Sequence, residues 1–284
     1  MSTASYISTR RIGDATITVI NEATVRIPLT TVFPAPEVEW LRANGEADAE
    51  DCLTSYQAVI LVQLGDATIL IDPAFDDPGT PWDQHFATTW PEVRRTPGMQ
   101  AALASLGVPP ESVTHVVITH AHDDHFVGVI QDGQPRFPNA RHLIGRADWD
   151  GNPRRANADN DLVARLGRIA DLGLLDLVDG DREIVPGVTL LHYPGETPGH
   201  SIVRVESGGQ TFYALGDLFH HACEVVYLDW VSPWVDLPTM RVSRDRLIAE
   251  ALPRDATIVF THDTFTPWGH ILPDGAGYRW QRDE

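Results

Sequence analysis

The chain contains no lysine. All 21 basic residues are arginine, which excludes any mechanism built on a lysine Schiff base or lysine nucleophile. It has two cysteines, Cys52 and Cys223, too few and too far apart for a disulfide framework or a zinc knuckle, so both are expected as reduced thiols. No run of about 18 apolar residues occurs, so no membrane-spanning helix is expected. Met1 to Arg11 is polar and lacks an apolar h-region, so no secretory leader is expected and the cytoplasm is the default location. Beyond short pairs such as Arg94-Arg95 and Arg154-Arg155 there is no basic cluster, and a net charge of −19 opposes a polyanionic partner; nucleic-acid binding is not expected.

What remains is a 284-residue chain, 43% hydrophobic, with enough apolar material for a sizeable core. No repeat, low-complexity tract or composition break divides it, so residues 1–284 are read as a single domain. Its most informative stretch is Thr119-His120-Ala121-His122-Asp123-Asp124-His125. It follows Val116-Val117-Ile118, an apolar β-branched run that reads as a buried strand. Three histidines and two aspartates within six positions are too polar for a core, and imidazole with carboxylate is the composition of a metal site. In an extended or tight-loop backbone His120 and His122 can converge on one ion, while Asp124 and His125 lie just past the turn, near a second.

This stretch resembles the H-x-H-x-D-H signature of the metallo-β-lactamase fold superfamily. Three further segments extend the resemblance in the same order: Thr197-Pro198-Gly199-His200-Ser201, Leu215-Gly216-Asp217 and Phe260-Thr261-His262. The resemblance implies an α/β fold, an αββα four-layer sandwich. It also implies two divalent metal ions, zinc first and manganese, iron or cobalt as alternatives. His120, His122 and His200 would bind the first ion, Asp124, His125 and His262 the second, and Asp217 would bridge them. The chemistry implied is hydrolysis by a hydroxide held between the ions, with Asp124 and Asp217 in the catalytic set. His220, which departs from the family pattern, is added as a candidate oxyanion donor or acid, or else satisfies a local backbone carbonyl.

The same comparison narrows the branch. Diiron flavoprotein members usually carry glutamate where His122 stands, and the true β-lactamases generally lack an aspartate at the position of Asp217. Glyoxalase II relatives use a basic C-terminal region, whereas the tail Thr264 to Glu284 is short and has no lysine. Nuclease members carry additional nucleic-acid-binding parts that are not visible here. Gly216-Asp217-Leu218-Phe219-His220-His221 is similar to the lactonase and organophosphate-hydrolase branch. Some homoserine-lactone hydrolases carry a tyrosine three residues after the bridging aspartate, and here that place holds His220. The function expected is therefore hydrolysis of a lactone, aryl ester or phosphotriester. The substrate would be a small molecule, neutral and partly apolar, and a homodimer is compatible with the reading. A thioesterase or β-lactamase-like amidase, and a non-catalytic binding or sensor protein of the same fold, are the alternatives.

Around these motifs the periodicity predicts strands at Ala15–Ile20, Arg141–Ile144, Val188–His192 and Thr257–Phe260. It also predicts hairpins from Ala58 to Ile71 around Gly65-Asp66 and from Ile202 to Leu215 around Gly208-Gly209. Helices are predicted after Thr96 from Pro97 to Gly107, from Phe126, over Leu162–Leu172 and over Arg241–Leu252. The N-terminal segment 1–56 and an irregular insertion at 75–97, with Phe75, Trp82, His85, Phe86 and Trp90, are expected to shape the mouth of the site or to pack on themselves. Asp72 is a candidate to orient a ligand histidine. Phe219, Trp230, Trp234 and Trp268 are candidate pocket walls or packing residues, and His221, Asp263 and His270 candidate neighbours. His115 reads as a solvated residue preceding the strand, and His142 as structural.

Overall fold

The computed structural model describes residues 6–32, 35–44, 46–89, 92–263 and 267–283. Alternation along the strands explains the architecture, because successive side chains point to opposite faces of a sheet. In the strand β3, named with its neighbours below, Val59 and Leu61 pack with one cluster while Ala58, Ile60 and Val62 pack with another. A strand buried on both faces needs a layer on each side, and the sequence supplies two.

The first sheet comprises β1 (Ile7–Ile12), β2 (Ala15–Pro28), β3 (Cys52–Leu64), β4 (Ala67–Ile71), β5 (Val93–Arg95), β6 (His115–Ile118), β9 (Arg141–Gly145) and β10 (Leu175–Val178). Its order is β1-β2-β3-β4-β6-β9-β10, with β5 paired to β2. Between β6 and β9 lies a short separate hairpin, β7 (Ile130–Gln131) and β8 (Gln134–Pro135). The second sheet runs in chain order through β11 (Arg182–Val185), β12 (Val188–His192), β13 (Ser201–Ser207), β14 (Gln210–Ala214), β15 (Thr257–Val259), β16 (Gly269–Asp274) and β17 (Gly277–Arg282). Ile17, Ile60, Ile69 and Val117 of the first sheet meet Leu190, Val203, Phe212 and Val259 of the second in one buried cluster. Behind the first sheet, helical residues Ala102, Leu103, Leu166 and Ile169 close a second cluster. Behind the other sheet, Met240, Leu247 and Ile248 of the helix Leu237–Ala251 close a third. These are the layers of an αββα sandwich.

Strands β4, β6 and β9 are mutually parallel, as are β14 and β15. Their C-terminal ends therefore leave each sheet on one side, where loops between parallel strands gather functional groups. Ser201 N–H donates to Thr119 O at 2.9 Å, and Ala58 N–H donates to Thr261 O at 3.1 Å. These bonds tie the loops of one sheet to the other at that end.

Several predicted elements are longer or more regular than their patterns indicate. The strand at Ala15 continues to Pro28, past an irregularity between Asn21 and Thr24 that breaks the alternation. Within the segment 75–97 the described residues hold a helix Pro81–Thr89 and the strand β5. Phe86 lies 4.6 Å from Phe75 and 5.1 Å from Trp82 between ring centroids, so the insertion packs on itself. Trp90 lies outside the described residues. The helix expected from Phe126 begins at Asp123, so Asp124 and His125 are helical, and a 3-10 turn follows at Val127–Val129. The helix after Thr96 spans Gly98–Ser105, with the Thr96 hydroxyl accepting the Gly98 N–H at 3.1 Å. Two short helices, Leu29–Val32 and Ala35–Ala43, occupy the segment after β2.

Candidate metal centre

Each candidate ligand leaves a strand end. His120, His122, Asp124 and His125 follow β6, Asp217 follows β14, His262 follows β15, and His200 immediately precedes β13. The structure brings most of them together. His120, His122 and Asp217 offer donor atoms that all lie within 4.8 Å of one another, and Glu196 joins them; Asp124, His125 and His262 form a second such group. Asp217 stands between the two: its carboxylate is 3.5 Å from His120 Nε2, 3.3 Å from His125 Nε2 and 3.2 Å from His262 Nε2. Asp124 is 3.7 Å from His125 Nε2 and 3.5 Å from His262 Nε2. His200 borders the first group rather than joining it. Its ring centre is 5.2 Å from that of His120, and its Nε2 accepts the Asp217 backbone N–H at 3.1 Å.

The far nitrogens of these rings are held from behind. His125 Nδ1 lies 2.8 Å from Asp72, which also accepts the Thr119 backbone N–H and hydroxyl, both at 2.8 Å. Asp72 thus orients a histidine by the geometry expected of it, from a left-handed backbone position (φ 50°) just past β4. His200 Nδ1 lies 2.9 Å from Tyr193 O, and His262 Nδ1 3.0 Å from Tyr56 O. A carbonyl at Nδ1 fixes the N–H there and makes Nε2 the acceptor nitrogen, turned toward the centre in His262 and engaged by the Asp217 backbone N–H in His200. Tyr56 belongs to β3, so the N-terminal half of the chain sets one ligand of the C-terminal half.

Two residues that the sequence does not mark organise the loops. Asp148, buried at the end of the short helix Arg146–Trp149, accepts Ala121 N–H at 2.9 Å, Gly199 N–H at 2.6 Å and the Thr197 hydroxyl at 2.7 Å. It binds the loop after β6 to the loop before β13. Gly199 must be glycine for this, since a Cβ there would stand 2.6 Å from Asp148 N. The second is Glu196, whose side chain is 1% exposed, with Oε1 3.4 Å from His122 Nδ1. No spacing rule reaches it, because it lies outside the four motif segments; only its glycine and proline neighbours hint at a sharp loop.

Charge balance dominates the site. Burial drives His120 well below its ordinary range, and adjacent imidazoles push the same way. Burial also takes His200 down to about 4. For His125 burial acts in the same sense, yet Asp217, Asp124 and Asp72 outweigh it and hold the ring well above its usual value. Burial opposes ionisation of Asp217, but His125, His262 and His120 keep its carboxyl well below the usual carboxylate range. His125 Nε2, Asp217 Oδ1 and Glu196 Oε2 are buried without a hydrogen-bond partner. Inward-facing ligand atoms left unpaired are costly unless a cation satisfies them. The N/O donor set fits divalent zinc, manganese, iron or cobalt.

His220 faces the same carboxylates. Its Nε2 lies 3.5 Å from Asp217, its Nδ1 lies 3.4 Å from Glu224, and its backbone N–H donates to Glu224 at 2.9 Å. Glu224 is in turn neutralised by the fully buried Arg244 at 2.6 Å, which also donates to Leu218, Leu228 and Trp230 carbonyls. Burial alone would lower the His220 value; Glu224 and Asp217 reverse this and hold it well above normal.

The other candidates scatter. Trp234 is 55% exposed and donates its indole N–H to Glu196 at 2.9 Å, which puts it beside the centre. Trp230 stacks on Tyr227 and meets Trp40 edge-on. Phe219 and Trp268 are not pocket walls. Phe219 is buried beneath the second sheet against Arg244, and Trp268 lies in the core between the sheets with its N–H on Ser8. Trp268, which immediately precedes β16, and Phe219 in the packed 217–230 segment both turn inward. His221 pairs with Glu46 at 3.3 Å, Asp263 with Arg282 at 2.7 Å, and His270 with Asp255 and Asp283. His142 is buried with Nδ1 on Ala140 O, structural as expected, whereas His115 is not a loop residue but the first residue of β6, half-buried beside the Thr114 hydroxyl. His85 is an exposed helical residue.

The family model of the metallo-beta-lactamase superfamily matches residues 54–262, a span that takes in every candidate ligand. An N-acyl homoserine lactonase of Bacillus cereus is 26% identical over 153 residues, covering 52% of this chain and 57% of that protein. The chain thus matches little more than half the length of that relative. The N-acyl homoserine lactonase AttM of Azorhizobium caulinodans is 29% identical over 202 residues, covering 66% of this chain and 72% of that one. Among solved structures, the dizinc quorum-quenching lactonase AidC, in complex with a product, superposes with a TM-score of 0.81 at 19% identity, covering 100% and 99% of the two chains. The hydrolase AbOPH gives 0.80 at 20% identity, covering 99% and 98%. With the sandwich, the strand-end ligands and a family match over most of its length, the chain belongs to the metallo-β-lactamase superfamily.

Proposed function

We propose that this chain is a dinuclear metal-dependent hydrolase that opens a lactone or cleaves a related ester. The observation that carries the reading is the convergence of six candidate ligands from three strand ends on two adjoining groups sharing Asp217. In this reading His120, His122 and His200 hold the first ion and Asp124, His125 and His262 the second, with Asp217 between them. When bound, such a pair supplies Lewis acidity and hydroxide near neutral pH. Zinc is the first candidate, in keeping with the dizinc relative. A cytoplasmic location goes with it, where the free thiols Cys52 and Cys223 persist.

The chain's own residues supply orientation and a proton. His220 carries its proton at Nε2 toward the carboxylate cluster, with Glu224 and Arg244 fixing the ring from behind. From there it donates to the carbonyl oxygen as charge develops, or to the departing alkoxide. Trp234 offers an apolar face at the edge of the centre, and the charge of −19 disfavours anionic substrates. The lactone is preferred because the curated relatives are named lactonases; aryl esters and phosphotriesters call for the same oxyanion support.

The test is metal analysis of the purified chain together with turnover of N-acyl homoserine lactones, simple lactones, aryl esters, phosphotriesters, a thioester and a β-lactam. Two metals per chain with lactone turnover is the expected result. Fewer than two after reconstitution, with no hydrolysis of any substrate, overturns the proposal.

A further inference from the structure

Glu196 is a buried carboxylate that the ligand pattern does not include. Its loop, between β12 and β13, is clamped on both sides. A Cβ on Gly195 would stand 2.5 Å from Met240 Cα, and the Thr197 hydroxyl is bound by Asp148. Glu196 is therefore held in place before any ligand arrives. Its Oε1 accepts the Trp234 indole N–H at 2.9 Å and lies 3.4 Å from His122 Nδ1; its Oε2 is buried without a partner, 3.7 Å from His220 Nε2. Among the described residues its ion-pair partners are these two imidazoles alone, although the chain has 21 arginines. A carboxylate buried with no arginine in ion-pair contact is costly to keep ionised. A divalent ion at the first position would remove that cost, since the donors of Glu196, His120, His122 and Asp217 already lie within 4.8 Å of one another. Ligands about 2.0–2.2 Å from a common ion are at most about 4.4 Å apart, so small side-chain adjustments suffice.

We infer that Glu196 contributes a carboxylate oxygen to the first metal ion, alongside His120, His122, His200 and Asp217. The inference rests on the dinuclear reading above. It makes the first position richer in ligands than a tetrahedral zinc site and better suited to metals that accept five or six N/O donors, such as manganese or cobalt. Trp234, by holding Oε1, couples the rim of the site to this ligand.

The isosteric substitution Glu196→Gln keeps an acceptor for Trp234 while removing the charge. Metal binding is measured on apoprotein by competition with a chromophoric chelator, and folding by circular dichroism. The expected result is a loss of about tenfold or more in affinity for one of two ions, greater for manganese than for zinc, with the other ion unaffected. Cobalt-loaded wild type is expected to show the weak d–d absorption of a high-coordinate site, and the variant a stronger band. If affinity falls while the cobalt spectrum is unchanged, Glu196 acts only through His122 and the inference fails; unchanged affinities sink it as well. Counting oxygen and nitrogen donors by X-ray absorption on the cobalt-loaded wild type gives the same answer if the variant does not fold. Two ions in the wild type with no Glu196 effect leaves the hydrolase reading standing. Fewer than two ions in the wild type removes both.

Discussion

Replacing Asp148 by alanine should cost about 4 kcal/mol of stability while touching no candidate ligand. The carboxylate accepts three hydrogen bonds, from Ala121 N–H, Gly199 N–H and the Thr197 hydroxyl, all between 2.6 and 2.9 Å. Bonds to a charged acceptor contribute about 1.5–3 kcal/mol each, and a buried donor left unpaired costs about 1–3 kcal/mol. Three donors lose their partner in Asp148→Ala. Taking the middle of the range, and allowing for non-additivity where donors share one acceptor, gives about 4 kcal/mol. In Asp148→Asn one oxygen remains, enough for two of the three donors, while the amide nitrogen faces the third, so about 2 kcal/mol is expected. Urea unfolding of the apoproteins reads this directly, because bound metal would otherwise add its own stabilisation. The ordering wild type, Asp148→Asn, Asp148→Ala should appear in the midpoints with the denaturant slope unchanged. Metal affinity should fall in the same order, since Ala121 sits between His120 and His122 and Gly199 adjoins His200. A loss below 0.5 kcal/mol for Asp148→Ala would mean that these loops are held by something else, and the account of how the two sheets share one site would be wrong.

Asp217→Ala should abolish most turnover and release at least one metal, measured by elemental analysis of the purified variant; full metal content with normal activity would contradict its place between the two groups. His220→Phe should lower kcat with both metals retained, because His220 touches Asp217 without belonging to either ligand group; an unchanged kcat rejects it as proton donor. His142 concerns stability alone: burial holds it at about 4, against about 6.5 in an unfolded chain. The unfolded state therefore binds the proton first as pH falls. The stabilisation is whole above pH 6.5 and lost on the way down through 4, about 3 kcal/mol in total. His142→Leu should shift acid unfolding to lower pH by circular dichroism, and an unshifted transition would refute this.

The motif residues were legible because their chemistry demands short, fixed spacing at strand ends. His120 to His125 lie on one loop and one helical turn, and Gly216-Asp217 and Thr261-His262 each follow an apolar strand. The sandwich was legible through the family resemblance those motifs carry, with apolar strands and two hairpins predicted around them. What remained hidden was set by contacts between distant segments. Asp148 and Glu196 act on loops 27 and 74 residues away along the chain, and a lone carboxylate in such company has no period or neighbour to mark it. Phe219 and Trp268 stayed open between two readings for the converse reason. Aromatic identity fits a pocket wall and a core equally, and only the packing of Arg244 and of the two sheets decides between them.

That division has a physical origin. A ligand must present a particular atom to a cation, so the local sequence is constrained in type and spacing. A residue that holds the ligand need only present an acceptor at the right place, and any of several chain positions can do so once the fold has formed. Asp72 shows the intermediate case. It sits at the end of β4, beside β6 in the parallel sheet, so its reach to Thr119 and His125 follows from strand pairing that the hairpin pattern already implied. Glu224 lies further along the same scale: it is four residues from His220, but its charge is tolerable only because Arg244, on a helix twenty residues later, is buried against it. The orientation of His220 therefore depends on a pair that neither loop nor helix explains alone. Removing Arg244 would strand a buried carboxylate and disturb the proton donor from a distance, without altering any group that faces the substrate.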